Sequence, residues 1–515
     1  MELRYFAPWA FCLGLVCLCL GCGNEYRPVA NPIIQPTGVP QQSRLALVVF
    51  QDTSNPTASG TCSDGSVPPC KGATSQIDVS GDTNLADVYV GRTPTQAVLG
   101  GQVAVADYND DAISLFTLQS PGATAATIPT SSAPVFVAYA SGGAYYVVNS
   151  AACPALSGSS SGGGCVTVLT SADTVAVTIP AGTNPVALAP TPDGSKVYIA
   201  NQGSNSVTVF STTDNTLITT ASGLPVGSQP SYIIANSTID AMYVLNRGDA
   251  TISVIDAFTD ATSPTPVSLL MAGQTAVGNS NYMVFNSQMQ RLYVANPGTG
   301  QVSVLDASGV LNSSGTSNLP VLLANVAIPG GLGPVPVALP GPTQPVLPDS
   351  PPTIAPLADG SRVYVLGAAT VGCKGEANEG QVWVINTSNN AIPCNTSQPN
   401  FGVACANVGA CISVGGNPVA IASSGDSTKV YVAHQGASTN PDGSAIPPGT
   451  TIISVANNSA TYTDSNTGNT VMNNVSAPNV LPNCPPVVSS DPNCINPTTG
   501  SATPVLMTPV FVTSQ

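Results

Sequence analysis

Fourteen cysteines and a single histidine are the residues of this chain best equipped for chemistry, and their placement limits what that chemistry is. His434 stands alone, so one chain cannot assemble a histidine metal cluster or relay. It occupies the position held in similar stretches by Asn201, Asn246 and Asn296, which argues for a turn at a strand end rather than a general base. Those asparagines read as turn formers in the left-handed conformation, not as a ring of ligands. Asp107-Tyr-Asn-Asp-Asp111 gathers oxygen ligands that suit Ca²⁺, but it lacks the glycine and distal glutamate of an EF-hand loop and reads as a solvated turn. Glu376 and Glu379 offer an acid and a base, yet without a nearby partner they read as surface charge. No His-Glu-x-x-His pair occurs, and Gly158-Ser-Ser-Ser-Gly-Gly-Gly164, whose first five residues match Gly-x-Ser-x-Gly, reads as a flexible insertion between Cys153 and Cys165 rather than a nucleophile elbow or a phosphate-binding loop. The sequence therefore names no catalytic residue, no metal ligand and no cofactor.

The cysteines point to export. Arg4 precedes an apolar run from Phe11 to Leu20, and Gly21-Cys22-Gly23 follows, which resembles the lipobox of bacterial lipoproteins. Residues 1–21 read as a signal peptide and Cys22 as the lipid-bearing residue, with a plain cleaved signal or an uncleaved anchor as the alternatives. Cys12, Cys17 and Cys19 leave with the signal. The remaining set is even: Cys62, Cys70, Cys153, Cys165, Cys373, Cys394, Cys405, Cys411, Cys484 and Cys494. In an oxidising compartment such a set reads as disulfides, here taken between nearest neighbours, although spacing does not fix connectivity. Residues 22–43 carry Pro28, Pro32, Pro36 and Pro40 and read as an extended tether from the membrane. The expected location is the cell envelope, with the membrane as partner through the lipid. Only 11 Lys and Arg stand against 26 Asp and Glu, a net charge of −15, so nucleic acid is not an expected partner.

Chemistry of any kind has to be positioned by short strands. Charged residues make up 7% of the chain while Gly and Pro number 49 and 47, a composition of many strands and turns. One unit recurs from residue 44 onward. A strand of the form Val197-Tyr-Ile-Ala-Asn201 reappears at Val103, Tyr145, Met242, Leu292, Val363 and Val430. Each copy is followed by a strand alternating apolar residues with Ser, Thr or a near equivalent, as in Val207-Thr-Val-Phe210. With a buried strand before and another after, the unit is a four-stranded blade of about 45 residues. Arg44–Phe50, Ser75–Asn84 and Ala86–Val90 supply three strands of one more blade, whose missing first strand is sought in Thr503–Val512. The expectation is an all-β propeller over residues 44–515, eight-bladed with this composite blade and seven-bladed without it.

The stretch Pro192-Asp-Gly-Ser-Lys-Val-Tyr-Ile-Ala-Asn201, followed by Asn205-Ser-Val-Thr-Val209, resembles the YVTN-type repeat of YncE-like and lactonase-like bacterial β-propellers and of surface-layer proteins. The resemblance implies a propeller, often exported, and leaves its task open. Long connections after second strands and before first strands put the expected decoration on one face, where a protein or glycan partner would bind. The function expected is a binding or cell-surface interaction scaffold. The alternative is a lactonase-like hydrolase acting at the central pocket.

Overall fold

Val, Ile, Tyr and Ala dominate the repeated strands, and every side chain of Ala241–Asn246 is buried, so these segments have no amphipathic face to offer water. They are satisfied only as inner members of sheets stacked against one another. The computed structural model describes residues 45–51, 71–118, 124–140, 142–151, 153, 163–220, 222–271, 279–309, 319–333, 352–368, 373–375, 379–394, 401–436, 438–439, 445–463, 470–477 and 508–514. Among them the chain forms an eight-bladed β-propeller of antiparallel, four-stranded blades. In blade 5 the fourth strand is split into Ala261–Thr262 and Val267–Ser268.

Blade 1 is the composite one. Thr508–Ser514 pairs with Leu45–Gln51, which pairs with Lys71–Asp78 and then Thr83–Arg92. The closing strand thus starts later than Thr503. Two Thr-Pro-Val copies lie in this region, and the one at Pro509, not Pro504, takes the place of the proline that opens other inner strands. The inner strands of blades 2 to 8 are Pro94–Leu99, Pro134–Tyr139, Pro185–Pro190, Pro230–Ala235, Tyr282–Asn286, Ile354–Pro356 and Gly416–Ser423.

In blades 2 to 5 and blade 8 a residue with positive φ (Thr93, Ala133, Asn184, Gln229, Asn417) precedes a proline, and a β-bulge follows it. Proline donates no hydrogen bond, so it fits where the ladder is interrupted, and the bulge turns the next side chain. Blade 1 repeats the bulge after Pro509.

Eight hydrophobic clusters lie one between each neighbouring pair of blades. The cluster uniting Ala46, Val48 and Val512 of blade 1 with Tyr431 and Ile452 of blade 8 closes the ring.

The long connections are not confined to one face. In an antiparallel blade the turns after the second and fourth strands leave one face, and those after the first and third leave the other. Blade 7 carries 387–410 after its third strand, including the helix Phe401–Asn407, and blade 8 carries the hairpin Thr461–Thr463 with Thr470–Met472 there. These elaborate the face expected to keep short turns.

Candidate functional site

The first strands of all eight blades surround a central channel of about 790 Å³. Its wall comes from short, mostly apolar strands, and the bulge after the proline decides which side chain enters it. Where the residue two after the proline is large, it reaches the lumen: Phe136, Tyr232 and Phe511. Tyr282 and Val284 of blade 6 and Val186 of blade 4 join them. The rings of Phe136 and Tyr232 meet edge to face with centroids 6.2 Å apart, and those of Tyr232 and Tyr282 lie 5.2 Å apart at 56°. Both tyrosines keep part of their surface open to the channel. The surrounding protein still desolvates them, so burial pushes the Tyr232 hydroxyl up to about 12 and that of Tyr282 well above its ordinary value.

Apart from Tyr108 and Phe285, the rest of the wall is hydroxyl, amide and aliphatic. Gln96, Ser423 and Thr513 line the side contributed by blades 2, 8 and 1. Several of these groups also tie the inner ring together. Gln96 Oε1 accepts from the Val137 amide at 2.7 Å, the Ser423 hydroxyl donates to the Pro356 carbonyl at 2.8 Å, and the Ser514 hydroxyl donates to the Ser423 carbonyl at 2.5 Å. No Asp, Glu, Lys, Arg or His is among the described residues of the wall.

A second recurring set sits at the ends of the second strands, one layer out. Asn149, Asn201 and Asn246 are fully buried there, and Asn296 nearly so. Their amide nitrogens donate to Thr167, Thr208, Ser253 and Ser303 on the third strand at 3.0, 3.0, 2.9 and 2.7 Å. None of the four has the positive φ expected of turn formers, so that reading is corrected. They are internal posts, satisfied by the hydroxyls that alternate along the next strand. Two blades carry an ionisable residue at the post. Asp107 accepts from the Ser114 hydroxyl at 2.6 Å, and burial, with Asp110 adding repulsion, pushes its carboxyl up to about 8.

His434 is not at a turn: it lies within the strand Lys429–Gly436, paired with Pro418 and Gly449, and is entirely buried, its Nε2 2.7 Å from the Asn474 side-chain oxygen. Burial holds its pKa below the ordinary value. Glycines on the incoming connections pack flat against these posts: a Cβ on Gly182 would stand 2.7 Å from Asn201, and one on Gly415 2.2 Å from the His434 ring.

The acidic cluster is a turn, buried at Asp107 and exposed at Asp111, and its carboxylates are spent separately. Asp110 pairs with Arg92, and Asp111 accepts from the Ala133 amide at 2.8 Å. Among the described residues no three His, Cys, Asp or Glu side chains gather to hold a metal. Glu379 is 4% exposed at the head of its strand, not surface charge, and Glu376 lies outside the described residues.

Cys153 pairs with Cys165, the expected neighbour, whereas Cys373 pairs with Cys411 and Cys394 with Cys405. The nearest-neighbour pairing fails in blade 7 because its outer strand Cys411–Val414 lies against the loop before the third strand, where the Cys373 amide donates to the Ser413 hydroxyl at 2.9 Å. Cys394 and Cys405 both belong to the following connection and are left to each other. Cys22, Cys62, Cys70, Cys484 and Cys494 lie outside the described residues.

The channel aromatics escaped the sequence reading, which followed the second and third strands. A signal was present: Pro134-Val-Phe136, Pro230-Ser-Tyr232 and Pro509-Val-Phe511 share one Pro-x-aromatic spacing.

No protein-family model and no curated protein matches the chain. Solved structures do. A functionally unknown protein from Desulfotomaculum acetoxidans is 15% identical with a TM-score of 0.44, covering 68% of this chain and 94% of its own. A protein from Lactobacillus plantarum is 16% identical with a TM-score of 0.43, covering 67% and 93%. Dihydro-heme d1 dehydrogenase NirN in complex with DHE is 12% identical with a TM-score of 0.47, covering 80% and 71%. The fold of this chain, an eight-bladed β-propeller, rests on its own strand pairing.

Proposed function

We propose that this chain is an exported, lipid-anchored β-propeller of the YVTN type that serves as a non-catalytic binding scaffold at the cell envelope, with a protein or glycan as its partner. The observation that carries the reading is the wall of the channel, made of aromatic, aliphatic, hydroxyl and amide side chains. A lactonase at this pocket would need a general base or an electrophilic cation within reach of the ester. The ionisable groups nearest in kind, Asp107 and His434, are buried and engaged with Ser114 and Asn474. Three disulfides favour an extracytoplasmic site, and Gly21-Cys22 supplies the proposed point of lipid attachment.

Cell fractionation tests the anchor: the parent chain should sediment with membranes, and Cys22→Ser should release it. The same preparation, incubated with glucono-1,5-lactone and an acyl-homoserine lactone, should show no turnover above buffer. Turnover lost on filling the channel with Val186→Trp would overturn the scaffold reading in favour of the hydrolase.

A further inference from the structure

The channel wall carries two kinds of chemistry, and together they specify a ligand class. Phe136, Val186, Tyr232 and Tyr282 come from the consecutive blades 3 to 6 and form one continuous apolar arc. In a closed ring of eight, blade 5 faces blade 1 and blade 6 faces blade 2, so Tyr232 looks across at Thr513 and Tyr282 at Gln96. Hydroxyls and amides stand on both sides of the lumen, at Asn184, Ser231 and Asn286 as well as at Ser423 and Thr513, and Phe511 adds a ring on the side of blade 1.

A ligand that uses both kinds of group must have an apolar face and a polar edge. It must also be uncharged: an ion taken from water into this wall would find no described counter-charge. The net charge of −15 adds a penalty for anions. A pyranose ring meets these demands, since its C–H face packs on aromatic rings while its equatorial hydroxyls reach outward to amides and hydroxyls. The volume of about 790 Å³ falls inside the range of small-molecule sites and admits a short oligosaccharide.

The tyrosine hydroxyls add to the fit. No hydrogen bond to another described residue is shown for Tyr232 or Tyr282, so both phenols are open to a ligand. Phe136 meets Tyr232 edge to face and Tyr232 meets Tyr282 at a tilt of 56°, so the three rings run along one side of the lumen, a platform rather than a cage for an ammonium group.

We infer that the channel binds a short, uncharged oligosaccharide, stacked on the arc of Phe136, Tyr232 and Tyr282 and hydrogen-bonded by the hydroxyl and amide groups of the wall. This rests on the non-catalytic reading above and names its ligand.

The test is calorimetric titration of the full-length chain with maltotriose, cellotriose and N-acetylchitotriose, beside trigalacturonate and choline as charged probes. At least one neutral trisaccharide should bind saturably and both charged probes should not. Tyr232→Ala should weaken that binding by about tenfold or more. Val186→Trp, which fills the lumen from the blade between the aromatics, should do the same with an unchanged far-ultraviolet spectrum. Failure of all three sugars, preference for choline or trigalacturonate, or sugar binding indifferent to both substitutions would each overturn the assignment. Turnover of glucono-1,5-lactone, read in the same samples, reports separately: turnover defeats the non-catalytic reading, whereas absent sugar binding without turnover defeats only the saccharide.

Discussion

Asp107 holds the position that four other blades give to asparagine, and the substitution leaves a carboxyl where an amide is the group that fits. Its Oδ1 has no hydrogen-bond partner, while Oδ2 accepts from Ser114. Because burial raises its pKa to about 8, the folded chain retains a proton that the unfolded chain releases near 3.8. The native state thus binds more protons across that window, and stability from this residue is full below about 4 and is lost as pH rises to about 8. Asp107→Asn removes the titration and keeps a donor to Ser114, as Asn246 does to Ser253 at 2.9 Å. The variant should match the parent near pH 4 and exceed it by about 5 kcal/mol at pH 8, about 1.4 kcal/mol for each pH unit over which the native state holds the extra proton. Urea melts at the two pH values check this, and an equal gain at both would show that Asp107 does not titrate. His434 works in the opposite sense. Its depressed pKa makes its contribution present above the ordinary 6.5 and lost as pH falls below it, so the acid flank of the same profile reports on the blade 8 post.

At the scale of the strand, four of the scarce cations share one task. Lys196, Arg291, Arg362 and Lys429 each open a second strand two residues before a buried tyrosine and reach the turn of the next blade. Lys196 Nζ donates to the Ala257 carbonyl at 2.8 Å and to Asp260 at 2.7 Å. Arg291 Nη1 meets Thr387 and Asn390 at 2.5 and 2.8 Å, and Arg362 Nη1 meets Val455 and Asn458 at 2.9 and 2.8 Å. Lys429 pairs with Asp82 across the seam between blades 8 and 1. Each side-chain acceptor belongs to a residue of positive φ. Arg362→Ala should therefore cost about 1–3 kcal/mol in chemical denaturation, against less than about 0.5 for Arg247→Ala, whose side-chain bond to Asn279 is exposed. Equal losses would deny the clasp its role. Lys-Val-Tyr198 and its relatives made the second strands easy to read, since a cation, a tyrosine and an asparagine at fixed spacing survive any loop length. The first strands lacked such a mark because a bulge, invisible in a local apolar run, sets which of their residues faces the lumen. The Cys373 and Cys411 pairing was hidden for a different reason: it depends on an outer strand of only four residues folding beside a loop 38 positions earlier.

Closure is a property of the whole ring, and the chain achieves it by lending its last strand to its first blade. Thr508–Ser514 supplies the inner strand of blade 1 and, through Val512, part of the apolar seam with Tyr431 and Ile452 of blade 8, while Val510 packs in the seam with blade 2. Gln435 of blade 8 donates to the Pro509 carbonyl at 3.0 Å, so the strand is held from both sides. Removing it exposes the ladder edge of Leu45–Gln51, a strand buried along its whole length, and opens two of the eight inter-blade interfaces at once. An unpaired apolar edge of this kind invites association with other chains. Deletion of residues 508–515 should consequently lower the thermal midpoint by more than Arg362→Ala does, broaden the transition, and shift part of the material to larger species in size-exclusion chromatography. A synthetic peptide of sequence TPVFVTS, added in excess, should recover part of the midpoint, because it binds the native edge and not the unfolded chain. A truncated chain that melts as sharply and as late as the parent would mean that the ring closes without its composite blade, and that blade would then be an ornament of the fold rather than its lock.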